Sequence, residues 1–414
     1  MRQYLTVWKM PSAPTLLLAG FAGRLPASMV PLALLLLVEQ HTGSYAIAGL
    51  AAATYGLSIA AFAPIYGRFA DRRGASTLLL VTAAVFPFLL AGLVATVVLG
   101  APLWTLLVAC VVAGAGMPLV SSTVRAVWQR VTEGSSVRQA AYALDAISVE
   151  LVFVAGPAVV AVLVLLTSPI VAIGLAAAMS MTGAIVLSRA PEIRGYSPIE
   201  RVRGRRGPVR APGMPRLLLS GSALMFGLGC LEVGVPAFAD RLGSPGMAGV
   251  LIAVWALGSA IGGFWFGARH PQLALSKQYR WALLAVVVGM VPLVLADNLL
   301  VLGAMLFLGG TTLAPTLTVQ NSLVSVLVPA GVATEAFTWM TTVAYGASAI
   351  GAGVAGVLVE GAFGVAGALA LAALAAVAAL AISLVPGRSR PSGRSLRPVY
   401  PVYPHAPVAQ GLAA

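Results

Sequence analysis

An all-α membrane protein, with twelve transmembrane helices in two parallel six-helix halves, is the fold this sequence predicts. Composition is the first sign: 59% of the 414 residues are hydrophobic and only 9% are charged, against ~25% charged in an ordinary soluble domain. At ~20 apolar residues per crossing, that stock supplies roughly twelve spans. A mean hydropathy of +0.96 excludes a soluble fold. The second sign is that the apolar runs are long and unbroken, unlike the short alternating segments of a β-barrel. The third is a basic stretch near the middle that separates two sets of six runs, and the two sets resemble each other.

The first set of spans falls at 15–38, 46–67, 76–99, 102–124, 139–166 and 169–189. The second falls at 216–239, 246–268, 279–296, 298–320, 334–360 and 362–385. Residues 1–189 are therefore one six-helix half and 216–385 the other. Between them, 190–215 reads as a Pro- and Gly-containing linker that carries eight arginines when Arg189 and Arg216 at its edges are included. Residues 386–414 read as a disordered Pro- and Arg-rich tail, in which Pro398, Pro401, Pro404 and Pro407 would line one face of a polyproline II helix. The arm Met1–Pro14 is polar, and the run behind it is long enough to span. It is expected to stay as a helix rather than be cleaved as a signal peptide.

A net charge of +13 would suggest nucleic acid in a soluble protein. Here the arginines sit in short connections, which points to membrane topology instead. With the N-terminus in the cytoplasm, 23 of the 25 Lys and Arg fall on the cytoplasmic side. Arg241 alone falls outside, and Arg24 lies within a span. Both termini are expected to be cytoplasmic, in a multi-pass protein of the cell's inner membrane whose partners are lipids and a small-molecule substrate. The chain is expected to act as a monomer.

The halves read as diverged copies. Ala48, Gly49, Ala53, Leu57, Ala60 and Gly67 recur 200 residues later, and Tyr55 and Tyr66 coincide with Trp255 and Phe266. A weaker match sets Ala141-Tyr142 and Gly156 against Ala336-Phe337 and Gly351, an offset of 195. Each offset spans six helices, so both copies keep one orientation, the parallel arrangement of transporters that rock one half against the other.

The connection between spans 2 and 3 reads Gly67-Arg68-Phe69-Ala70-Asp71-Arg72-Arg73-Gly74, or G-x-x-x-D-R-x-G. It resembles the signature loop of the major facilitator superfamily, and the resemblance extends to twelve spans, a basic linker and two parallel halves. Gly156-Pro157 in span 5 is similar to a motif of the antiporter branch, although Val159 and Val160 stand where a Gly pair is expected. In span 4, Gly114-Ala115-Gly116 is preceded by Cys110 where that branch has an arginine. The loop of the second half keeps Gly267 and Arg269 but no acid. The resemblance implies alternating access, with spans 1, 4, 7 and 10 lining a cavity and the loop latching a cytoplasmic gate. Physically, Gly67 and Gly74 allow a tight turn and close helix approach. Asp71 at the membrane edge can accept from a helix N-terminus and pair with a basic group, for which Arg125 is the expected partner.

Ionisable residues inside the bilayer are costly, roughly 2.5–3.5 kcal/mol at mid-span, and are functional candidates. Arg24, Glu150 and Glu232 stand out. Arg24 and Glu150 share a depth and have opposite signs, so they read either as a structural pair or as part of a substrate site. Glu232 has no intramembrane cation in its half, which suits a carboxylate that loads and releases protons. Asp145 and Glu335, near span ends, read as helix caps. Trp339 and Tyr345 are cavity candidates on span 11. Pro26, Pro31, Pro118, Pro157, Pro236 and Pro315 are expected to interrupt spans 1, 4, 5, 7 and 10.

Other signals fail. Gly351-Ala352-Gly353-Val354-Ala355-Gly356 matches a nucleotide fingerprint but lies in an apolar helix, where it reads as a close-packing face. Lys9 and Lys277 follow no Gly-rich loop, so ATP is not the energy source. Cys110 and Cys230 read as core residues, and His41, His270 and His405 are scattered. No cofactor, metal or enzymatic site is expected; the proton is the expected coupling ion. The reading is a secondary transporter working by alternating access, with proton-coupled efflux ahead of a proton-symport importer. A transport-inactive membrane sensor is the rival from another class.

Overall fold

The computed structural model describes residues 2–133, 135, 137–195, 207–244, 247–269 and 273–385. Among these residues, twelve helices are long and apolar enough to cross a membrane. In the first half they are α1 (Ala13–Thr42), α2 (Ile47–Arg73), α3 (Ala75–Val98), α4 (Leu103–Val131), α5 (Arg138–Leu166) and α6 (Pro169–Arg189). In the second they are α7 (Met214–Arg241), α8 (Met247–Gly267), α9 (Leu275–Leu295), α10 (Leu299–Leu327), α11 (Ala333–Glu360) and α12 (Gly364–Leu384). A helix satisfies every backbone group internally, which is what a hydrocarbon surround demands. The described residues contain no strand. A short helix, Arg2–Trp8, precedes α1.

Local chemistry sets the ends. The Ser44 hydroxyl accepts from the Ile47 amide (3.3 Å) at the start of α2, and Asn298 Oδ1 accepts from the Val301 amide (2.9 Å) at the start of α10. Each satisfies an amide that the first turn leaves free. Gly43 closes α1 at φ +64°. The span boundaries read from hydropathy match closely, with the largest departures in α4 and α10. Hydropathy ends α4 near residue 124, yet the helix runs to Val131 through Arg125, Trp128 and Gln129, and Trp128 and Gln129 are buried. Neighbouring helices, not lipid, surround that stretch.

The breaks fall at fewer places than the prolines suggest. α1 divides at Leu25, directly after Arg24; α4 divides at 116–119 around Pro118; α10 divides at 311–312, just before Pro315. Pro157 and Pro236 sit inside helices that run on without interruption, which corrects the expectation of a break at Gly156-Pro157. Pro157 removes one amide donor, but lateral contacts support α5 through that point, and the helix stays continuous. The Ser28 hydroxyl of α1 donates to the Val152 carbonyl (2.9 Å), and a Cβ on Gly156 would fall 1.9 Å from Ser28 Oγ. Gly156 is thus the point where α1 and α5 touch, and that packing outweighs the one lost bond.

The linker region contributes a helical turn, Pro191–Arg194, and a 3-10 turn, Pro208–Arg210. Residues 196–206 and the tail 386–414 lie outside the described residues. Within the glycine-rich run of α11, only Gly351 packs closely, its virtual Cβ meeting the Phe226 backbone of α7, whereas Gly353 and Gly356 face open space. Cys110 and Cys230 are free and buried.

The apolar core has an uneven layout. One continuous cluster joins the N-terminal arm, the part of the first half nearest the arginine-rich connections, and most of the second half. The remainder of the first half closes on a separate cluster around Met29, Leu34, Tyr55 and Phe86. The two halves therefore share a core on the arginine-rich face and have separate cores toward the opposite face. Across the shared region, α2 packs on α11, α5 on α8 and α10, and the end of α4 on α11.

Candidate functional site

The arginine-rich face is sealed by contacts between the halves. Gly74 takes φ +98° in the one-residue turn between α2 and α3, a conformation that favours glycine. The turn leaves the end of α2 lying against the start of α11. A Cβ at Gly67 would sit 2.5 Å from Thr338 Oγ1 and 3.0 Å from the Glu335 Cα, so the absence of a side chain permits the approach. Asp71 is buried there. Its Oδ1 accepts from the Thr334 amide (3.2 Å) and its Oδ2 from the Glu335 amide (2.8 Å). A carboxylate of one half thus caps a helix of the other and meets the positive end of its dipole.

Arg125 is not the partner of Asp71, contrary to expectation, because both Asp71 oxygens are taken up by α11 amides. The cation beside this cap is Arg68, whose guanidinium bonds Glu335 Oε1 at 2.9 and 3.2 Å. Glu335 lies in the first turn of α11 as anticipated, but it also bridges the halves. Arg72 and Arg73 are exposed, and Arg73 stacks over its own Phe69 (5.1 Å) rather than crossing. Gln129 near the end of α4 donates to the Ser325 and Val328 carbonyls (2.6 and 2.9 Å) at the end of α10. The first half thereby grips the turn between α10 and α11 from both sides, by its free carbonyls and by its free amides.

A second seam joins α8 to α5. A Cβ at Gly267 would meet the Tyr4 hydroxyl and the Ala143 Cβ. Tyr4, on the short N-terminal helix, stacks on Phe264 (centroids 4.8 Å apart) and donates to its carbonyl (2.5 Å). Burial pushes the Tyr4 hydroxyl up to about 12, so it remains a donor. Gln139 donates to Gln278 nearby (2.6 Å).

Deeper in the first half lies a buried charged cluster. Arg24 Nη2 bonds Asp145 Oδ1 at 2.5 Å, and Arg125 Nε bonds Asp145 Oδ2 at 2.9 Å. The break of α1 after Arg24 and the break of α4 before Arg125 bring both guanidiniums to α5. Asp145 is fully buried and well past the first turn of α5, so it is an ion-pair residue and not a helix cap. Arg24 pairs with Asp145 and not with Glu150. Five residues separate the two acids, ~140° around a helix, which turns Glu150 away toward α8. There Glu150 takes a hydrogen bond from Ser259, whose oxygen accepts in turn from the Ala314 amide (3.2 Å).

Glu232 on α7 is exposed and accepts from the Ser348 hydroxyl of α11 at 3.3 Å. One turn earlier on α11, Tyr345 is 38% exposed, and it lies within electrostatic reach of Arg24, Arg125 and Glu232. Trp339 is set among core residues and its buried indole N–H has no protein partner. Among the described residues, no group of three or more His, Cys, Asp or Glu is placed to hold a metal ion.

Sequence reasoning named Asp71, Arg24, Glu150, Glu232 and Tyr345, but it missed Arg68 as a bridging residue, Asp145 as the anion of the buried cluster, and Gln129 and Tyr4 altogether. Arg68 was accessible in principle, because it stands three residues before Asp71 on the same helix face. Gln129 and Tyr4 carry no local signal.

The sequence model of the Major Facilitator Superfamily matches residues 16–352. No curated protein matches the chain. Solved structures with a similar fold include a bacterial homologue of the iron transporter ferroportin, in an outward-facing state with soaked iron. It has a TM-score of 0.70 at 17% identity, over 89% of this chain and 98% of that one. The human organic anion transporter MFSD10 (TETRAN) has a TM-score of 0.70 at 19% identity, over 92% and 99%.

Proposed function

The chain belongs to the Major Facilitator Superfamily, and from that membership we propose that it is a secondary active transporter that exports a small molecule across the cytoplasmic membrane in exchange for protons. The observation that carries alternating access is the layout of the core, shared between the halves on one face and divided on the other. The positive-inside rule supports placing the arginine-rich face in the cytoplasm. On that reading the conformation faces outward, with the gate at Asp71, Arg68 and Gln129 closed behind it.

Proton coupling is supported by two carboxylates at the halves' inner surfaces that have no salt-bridge partner among the described residues. Among the described residues Glu232 meets only a hydroxyl, is exposed, and lies near Tyr345. Glu150 meets the Ser259 hydroxyl across the seam between α5 and α8. A carboxylate held by a hydroxyl rather than a cation can exchange its proton without breaking an ion pair. In the outward state, Glu232 is the one with open access.

Flux of a substrate panel in inverted vesicles, with and without a pH gradient, tests the reading directly. Active accumulation driven by the pH gradient is the expected outcome. Glu232→Gln, which mimics the protonated side chain, should abolish that accumulation yet spare substrate-for-substrate exchange. A variant that still concentrates substrate on a pH difference alone removes Glu232 from the coupling step, and Glu150 becomes the carboxylate to test.

A further inference from the structure

The buried cluster of α1, α4 and α5 is out of electrical balance. Two guanidiniums, Arg24 and Arg125, share the single carboxylate of Asp145, which is the only acid bonded to either of them among the described residues. Asp145 uses one oxygen on each arginine, so its charge is divided between them. The cluster carries one net positive charge in a place where Arg24 is 4% exposed and Asp145 fully buried. An uncompensated charge in so dry a setting is strongly unfavourable, and a counter-anion would offset that penalty.

On α1 and α5, among the described residues, polar atoms without partners remain. Arg24 Nε is buried and makes no hydrogen bond. Ser148, one turn beyond Asp145 and therefore on the same side of α5, has a buried hydroxyl that is also without a partner. From the second half, Tyr345, a partly exposed residue, lies within electrostatic reach of both guanidiniums. Buried donors without partners on α1 and α5, an excess positive charge, and the partial exposure of Arg125 and Tyr345 are the makings of an anion site. The surrounding helix faces are mostly apolar, which suits a body without charge.

We propose that Arg24, with Arg125, Ser148 and Tyr345, binds the anionic head of the transported molecule, so that the substrate class is a monoanion, such as a carboxylate, on an apolar body. The inference rests on the transporter reading above and specifies its substrate. Arg24 makes the head's principal contact, Asp145 holds Arg24 and Arg125 in position, and Tyr345 adds a donor from the opposite half. An anion touching both halves would couple their movement.

Three matched probes test it: cyclohexanecarboxylate, cyclohexylmethanol and cyclohexylmethylammonium, added to the purified full chain while thermal unfolding is followed. Only the carboxylate should raise Tm, and by more than chloride does at equal concentration. Arg24→Gln leaves Asp145 and Arg125 as a balanced pair, so it should fold normally yet weaken the carboxylate by about tenfold or more. Tyr345→Phe changes no packing and should weaken the same probe by a smaller factor. Equal shifts with all three probes, a carboxylate shift no larger than that of chloride, or unchanged affinity in Arg24→Gln would each overturn the anion site. Failure here is distinguishable from failure of the transporter reading. A chain that moves neutral or cationic compounds in inverted vesicles, while the carboxylate leaves Tm unmoved, transports without an anion site.

Discussion

The two seams that close the arginine-rich face are copies of one another with different chemistry. Gly67 of α2 meets Thr338 of α11, and Gly267 of α8 meets Ala143 of α5. The glycines recur at an offset of 200 and their contacts at an offset of 195, the same two offsets that relate the halves in sequence. In both, a missing side chain lets two helices touch. Beyond that contact they diverge. The first seam adds the Asp71 cap and the Arg68–Glu335 pair. The second adds a tyrosine from the N-terminal arm and a neutral Gln–Gln bond. Arg269, which follows Gly267 as Arg68 follows Gly67 a residue sooner, lies 3.6 Å over its own Trp265 ring and does not cross. What the halves share is the geometry of approach, and what they do not share is charge. A seam held by charge at a helix end can be opened by water, which solvates both partners. A seam held by apolar contact and one neutral bond opens at the cost of exposing apolar surface. The charged seam therefore has the character of a gate, and the neutral one that of a bearing.

The strongest way to break the comparison is to remove what the seams have in common. At Gly67, a Cβ would meet the Glu335 backbone as well as the buried Thr338 side chain. Gly67→Val should therefore force the seam apart. Overpacking of this kind costs ~1–3 kcal/mol, enough to move the closed population by ~5- to 150-fold. Cysteines placed at the arginine-rich ends of α4 and α11 should become reactive, and transport should fall accordingly. Gly267→Val should do the same on the other side, because its Cβ meets Ala143. If either variant leaves labelling and transport as they were, close approach is not what that seam depends on.

How much of this was legible in the sequence follows from what each feature depends on. The spans are written in local hydropathy, so they read correctly. The repeat relates Gly67 to Gly267 and residue 143 to residue 338, but which of these meet across the halves is not written in it. Asp71 was recognisable as a loop residue that wants a helix N-terminus or a cation. Its partner was not, since α11 begins 262 residues later in the chain. Arg24 was matched by depth with Glu150, but depth leaves direction around the helix open, and Asp145 is the acid on the facing side. Gln129 was hidden because its stretch of α4 is polar, and hydropathy closed the span before reaching it.

The charged seam is sharpened by Asp71→Asn. An amide keeps the size of the side chain but removes its charge and replaces one acceptor by a donor, which then faces the Thr334 or Glu335 amide. Loss of the charge–dipole contact and of one hydrogen bond amounts to ~1–2 kcal/mol, or ~5- to 30-fold in the closed population. Labelling on the arginine-rich face should rise and transport should fall, while membrane insertion is unchanged. Equal labelling in the variant and the parent chain would show that the Asp71 cap does not hold the gate.

The smallest effect is expected at the neutral seam. Tyr4→Phe removes the hydroxyl that donates to the Phe264 carbonyl but leaves the ring stacked at 4.8 Å. One neutral hydrogen bond contributes ~1 kcal/mol, or about fivefold in the closed population. The carbonyl left behind belongs to a helix and keeps its own backbone donor, so no large penalty for an unsatisfied group is added. Because burial pushes the Tyr4 hydroxyl up to about 12, the bond persists across neutral pH, and the difference between Tyr4→Phe and the parent chain should not vary there. Labelling at the ends of α5 and α8 measures the effect. A change as large as that of Asp71→Asn would mean that the N-terminal arm is itself part of the gate, and the two seams would then be alike in function despite their chemistry.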